Sequence, residues 1–167
     1  MTHSENREFI AIGYIKANTK KAYIAIHSVR NAGVKVKIMR DIDLFEGLPE
    51  PINQRQVVSL AFSRDNKSIA VVINGPDWKV LVYRWDVKTA TGSTCKLICK
   101  QDFNKQEIYK VTFHPNDSTT VMLSGPGLLQ IYHLHNEIMD PSEFTFQDLH
   151  QPLNQLIFTD HVWTEES

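Results

Sequence analysis

The segment Val57-Val58-Ser59-Leu60-Ala61-Phe62-Ser63-Arg64-Asp65-Asn66-Lys67-Ser68-Ile69-Ala70-Val71-Val72-Ile73 reads as two strands around a tight turn. Its apolar, β-branched runs flank Arg64-Asp65-Asn66-Lys67, where Asp and Asn side chains bond their own backbone. The figure returns at Tyr109-Lys110-Val111-Thr112-Phe113-His114-Pro115-Asn116-Asp117-Ser118-Thr119-Thr120-Val121-Met122-Leu123-Ser124. Phe62 falls on Phe113, an offset of 51 residues, and Ser63-Arg64-Asp65 falls on His114-Pro115-Asn116. Val80-Leu81-Val82-Tyr83 lies over Leu129-Gln130-Ile131-Tyr132, and Gln155-Leu156-Ile157-Phe158 is a candidate strand of a third copy. A four-strand unit recurring about every 40 to 50 residues is the sequence mark of a propeller blade.

The same period-two patterning extends outward. Phe9 to Ile15, Ala22 to Val29 and Val34 to Ile42 read as the second, third and fourth strands of an earlier unit, with no first strand upstream. Lys96 to Cys99 reads as a fourth strand. Asn31-Ala32-Gly33, Asn74-Gly75-Pro76-Asp77 and Gly125-Pro126-Gly127 supply turns. Ile138 to His150 is polar and reads as a turn or weak helix. Residues 1–8 are expected to form a flexible N-terminus. Residues 9–167 are expected to form a partial, all-β propeller of about three four-stranded antiparallel sheets, with units at about 9–48, 57–103 and 108–150 and another starting at 154–167. Closed propellers need roughly 4 to 8 blades. The expectation is therefore a piece of a larger gene product, with completion by another chain as the alternative.

Composition narrows the class. The 167 residues carry 18 Lys+Arg against 19 Asp+Glu, a net charge of -1, which gives no basic face for nucleic acid and no polybasic membrane patch. With 42% hydrophobic residues the chain has enough to build a core. No apolar run approaches the roughly 18 residues of a membrane-spanning helix. Cys95 and Cys99, four apart on one strand, would share a face with Cα atoms roughly 13 Å apart. That is too far for a disulfide, so free thiols and a reducing, cytosolic or cytoskeletal setting are expected.

Candidate sites are few. His133 and His135 share a strand face, but a zinc site needs three or four ligands and no Cys or acidic cluster completes one. Asp65, Asp77, Asp86 and Asp117 fall in or beside turns or strand ends, where Asp bonds its own backbone. Pro126 removes a donor that a phosphate cradle would use. No cofactor, metal or catalytic residue is expected. A propeller enzyme would gather polar groups at one channel mouth, and His27, Asp65, His114 and His133 are the set to check. Trp78, in a loop before a strand, is the candidate protein-contact residue, against packing over its own sheet. Tyr14, Tyr83 and Tyr132 read as core or interface aromatics.

The residues also carry a family resemblance. Val57 to Asp65 resembles the first hairpin of a WD repeat, Phe113-His114-Pro115-Asn116-Asp117 is its second copy, and Trp85-Asp86 stands where the repeat's naming dipeptide belongs. Asn74-Gly75-Pro76-Asp77-Trp78 with Val80 to Trp85, and Val111 to Pro115 with Ser124 to Leu128, resemble the cilia- and flagella-associated protein 57 family. The resemblance implies structural blade positions at Phe62, Trp85, Asp86, Phe113 and Tyr132. It implies a non-catalytic scaffold of the ciliary axoneme linked to inner dynein arm assembly and motility, with axonemal or dynein-associated proteins as partners. This chain lacks the family's coiled coil and most of its blades. The alternative is a WD-repeat scaffold of a non-ciliary cytosolic or nuclear complex.

Overall fold

The computed structural model describes residues 1–29, 37–44, 56–75, 77–90, 92–143 and 151–164. Among them are three four-stranded antiparallel sheets and no α-helix. The first orders β1 (Thr2–His3), β2 (Phe9–Ile15), β3 (Ala22–Ser28) and β4 (Lys37–Asp43). The second orders β5 (Val57–Phe62), β6 (Ser68–Ile73), β7 (Trp78–Thr89) and β8 (Gly92–Asn104). The third orders β9 (Lys110–His114), β10 (Asp117–Gly125), β11 (Leu128–His135) and β12 (Ile138–Pro141). Each sheet is an up-and-down meander, as short hairpin turns dictate. The expected turn at Asn31-Ala32-Gly33, residues 34–36 of the expected fourth strand, Pro76, residues 45–48 and residues 144–150 lie outside the described residues.

The sheets stack face to face. In the middle sheet, successive side chains alternate between two cores, as a strand's pleat requires. Ile69, Val71, Ile73, Leu81, Tyr83 and Trp85 pack against Ala11, Ile24, Ile26 and Leu44 of the first sheet. Ala70, Val72, Val80 and Val82 pack against Val111, Phe113, Val121 and Leu123 of the third. Every residue of β6 is therefore buried. The first strands β1, β5 and β9 lie side by side, β1 against β5 and β5 against β9. The approach of the first two sheets is close: a Cβ added to Gly13 would lie 2.6 Å from Val57 Cβ.

Four expectations are corrected. The first sheet does have a first strand, since Thr2 pairs with Ala11 and His3 with Ile10. Two polar residues give no hydrophobic alternation to read, and hydrogen bonds from Ser4 hold the strand instead. Ser4 Oγ accepts the Phe9 amide at 2.9 Å, and the Ser4 amide donates to the Phe9 carbonyl at 2.9 Å. Ile138–Pro141 is a strand and not a turn or weak helix; it pairs with Tyr132–His135 and buries Met139. Gln155–Phe158 is not a strand: Leu153–Gln155 is a 3-10 turn, and Ile157 makes a single bridge to Pro126. Cys95 and Cys99 do not share a face. Val82 pairs with Cys99 but Tyr83 with Leu97, so Ile98 is a bulge that shifts the alternation. Cys95 packs on the first core and Cys99 on the second.

Candidate protein-interaction surface

The β5–β6 hairpin is held by its own polar side chains. Ser63 Oγ donates to Asp65 Oδ1 at 2.5 Å and accepts the Ser68 amide at 2.9 Å, and Asp65 Oδ1 accepts the Lys67 amide at 3.1 Å. Burial works to raise the Asp65 carboxyl, but these bonds outweigh it and hold its pKa low. Asp117 repeats the arrangement with the Thr119 amide at 2.8 Å and the Thr120 hydroxyl at 2.5 Å, and its pKa is likewise lowered against the pull of burial. Both aspartates thus hold turns.

Trp85 locks this hairpin to its neighbours. Its indole N–H donates to the Asn66 carbonyl at 2.8 Å, and its ring meets Phe9 and Phe62 edge-on at 5.0 and 6.3 Å. Trp85 and Asp86 lie within β7, short of its end at Thr89, and both are gripped by Arg40 of the first sheet. Arg40 Nε donates to the Trp85 carbonyl at 3.1 Å and Nη2 to Asp86 Oδ1 at 3.2 Å. Phe113 is 7% exposed in the second core, and Tyr132 meets Phe103 edge-on at 5.7 Å. Tyr83 belongs to the first core. Tyr14 instead stacks on Tyr23 and donates to Asp41 at 2.5 Å, on the face turned away from the second sheet. Trp78 is not in a loop: it opens β7, pairs with Asn104 and packs half-buried on the second core.

The turns after β1, β5 and β9 meet around a cavity of about 170 Å³. Phe62 and Phe113, the repeat-related pair, form part of its wall, and His3, Glu5, Arg64 and His114 supply its polar groups. Arg64 reaches from one hairpin to the next: Nη1 donates to the Pro115 carbonyl at 2.8 Å and to Asn116 Oδ1. The Glu5 amide donates to Asn66 Oδ1 at 3.1 Å, which pins the first sheet's turn beside them. The repeat pairs Phe62 with Phe113, but nothing in the sequence joined the other lining residues, because three separate turns supply them.

Residues 156–163 cover the far face of the third sheet near β9. Lys110 Nζ pairs with Asp160 and donates to the His161 carbonyl at 2.8 Å. The His161 ring bridges Thr112 Oγ1 at 2.7 Å and Ser124 Oγ at 2.8 Å, and Trp163 Nε1 donates to Thr112 Oγ1 at 2.9 Å. Burial first, then the Lys110 charge, pushes the His161 pKa down to about 4. The ring is therefore neutral at pH 7 and acts as a polar rivet.

The remaining candidates lie apart. His133 bonds the Thr120 hydroxyl at 2.9 Å, His114 accepts the Asn116 amide at 3.1 Å, and His27 lies on the first sheet. With Asp65 in its own turn, no two of these four bond each other among the described residues. His135 is exposed. Burial pushes the Cys99 thiol up to about 11, so it stays protonated and unreactive at neutral pH.

No protein-family model matches the chain. Over 73 residues it is 34% identical to Cilia- and flagella-associated protein 43 of Chlamydomonas reinhardtii, a match that covers 42% of this chain and 4% of that protein. Among solved structures it is similar to Sqt1 from Chaetomium thermophilum, with a TM-score of 0.50 at 14% identity over 79% of this chain and 31% of that one. It is also similar to the β-propeller domain of the Trilobed protease from Pyrococcus furiosus, with a TM-score of 0.48 at 16% identity over 83% of this chain and 39% of that one. The described sheets are propeller blades. The chain spans only a small part of the length of that curated relative.

Proposed function

We propose that this chain is a non-catalytic, protein-binding part of a ciliary WD-repeat protein that serves the axoneme and inner dynein arm assembly. The observation that carries the reading is the 34% identity to a cilia- and flagella-associated protein. The architecture fits it: rigid stacked sheets hold hairpin turns at fixed positions, which is what a docking surface needs. Asp65, His114 and His133 each bond within their own hairpin or sheet. The assignment to the 57 family rests on Asn74–Trp78 with Val80–Trp85 and on Val111–Pro115 with Ser124–Leu128, and the unit boundaries given above are part of the same proposal.

The test is fractionation. An epitope-tagged chain expressed in a ciliated cell should co-sediment with detergent-extracted axonemes and resist a low-salt wash. Removal of its gene should slow beating and deplete inner arm dyneins from purified axonemes. A chain found only in the soluble cytoplasm or nucleus would overturn the ciliary reading in favour of a scaffold of another complex.

A further inference from the structure

We infer that a cleft of about 190 Å³ between the second and third sheets receives an acidic residue and its basic neighbour from an extended segment of a partner. The inference rests on the protein-binding reading and names a site and a ligand chemistry for it. The second sheet supplies a positive wall. Ser68 pairs with Arg84 and Arg84 with Lys96, so the three stand in one row across β6, β7 and β8, on the face that Ala70 and Val82 turn to the third sheet. The two cations are directly opposite each other and repel, and neither has a hydrogen bond or an ion pair among the described residues. Asp65 feels the Arg84 charge, but its Oδ1 is taken up by the Ser63 hydroxyl and the Lys67 amide. Ser68 is 3% exposed and bonds Ser63 through its backbone alone, which leaves its hydroxyl unpaired beside Arg84. Hydroxyl, guanidinium and ammonium in a row are a donor set for a carboxylate.

The third sheet supplies a negative wall. Glu137 lines the same cleft, and its charge reaches Cys99 on the floor. It pairs neither with Arg84 nor with any other cation among the described residues, and Lys100 on its other flank lies 3.9 Å from Asp102 instead. Glu137 sits in the β11–β12 turn at a φ of 70°, a left-handed position that glycine takes without strain. The backbone thus carries a local cost at the residue that places a carboxylate here. The two walls bear opposite charges that stand beyond ion-pair reach of each other. Successive side chains of an extended segment point to opposite sides. An acidic residue beside a basic one therefore meets both walls, with the two stems lying over Ile98 and Leu134. An occupant with a single charge satisfies one wall and leaves the other unpaired.

The experiment titrates the full chain, labelled with nitrogen-15, with acetyl-Ala-Glu-Lys-Ala-amide and with its Gln-Lys, Glu-Gln and Gln-Gln counterparts, and reads affinity from amide shifts. The Glu-Lys peptide should bind about fivefold tighter than either singly charged peptide, roughly what one partly exposed charge pair contributes. The shifts should centre on Ser68, Arg84 and Glu137. Arg84→Gln should make the Glu-Lys and Gln-Lys peptides equal and leave the preference for Lys over Gln intact. Glu137→Gly should do the reverse, making Glu-Lys and Glu-Gln equal, and it relaxes the turn, so the loss is not one of folding. Equal binding of all four peptides, shifts centred elsewhere, or variants that weaken all four alike would overturn the inference. Axonemal fractionation of the wild-type chain is read separately, so either proposal can fail while the other stands.

Discussion

Trp85 shows how much one side chain can join. It is 2% exposed, packs edge-on against aromatics of two sheets, and bonds the turn that leads into β6. Trp85→Ala removes that packing and leaves the Asn66 carbonyl without its donor. The expected loss is about 3–5 kcal/mol, measured by urea unfolding of the whole chain. Trp85→Phe keeps most of the ring and should cost clearly less. The sequence made Trp85 legible as a structural residue because an indole closing a V-L-V-Y-R-W run belongs to a core. It did not show Arg40 as the partner of Asp86, because that contact joins residues 46 apart on different sheets.

Among the elements, the most sensitive to conditions is the segment 156–163. His161 has a folded pKa of about 4 against an ordinary 6.5, so between those values the unfolded chain binds more protons and stability rises with pH. Acidification from pH 7 toward 4 should therefore loosen the segment, with an upper bound of about 3 kcal/mol for this half-buried ring. Asp160 adds to the effect at the acid end, because its bond with Lys110 holds its carboxyl below the ordinary value. The fluorescence of Trp163 should follow the release, and His161→Gln should flatten its pH profile. Strands with long apolar alternation, such as Val57–Phe62 and Lys110–His114, were legible in the sequence because burial writes a period of two. Thr2–His3, Ile138–Pro141 and the Ile98 bulge were not. The first two are held mainly by backbone pairing, and the bulge changes which face a residue takes without changing its type.

For the molecule as a whole, the order of the stack predicts an order of local stability. The middle sheet is covered on both faces, and each outer sheet shares one core with it. Native-state hydrogen exchange should find the slowest amides in Ile69–Ile73 and Val80–Val82, and the fastest strand amides in Thr2–His3 and Ile138–Pro141. Equal protection of the three sheets would show that the middle one is not the stability centre. The repeat made this stacking legible. The cavity was not, because its members are scattered from His3 to His114 and become neighbours only once the sheets stack.

His3 and Glu5 stand at the mouth of that cavity, only a few positions after Met1. A fluorescent protein or affinity handle joined ahead of Met1 would extend the line of β1 and crowd its packing beside β5. Reporters for cell imaging are better inserted in the Thr89–Gly92 hairpin tip, on the opposite margin of the second sheet.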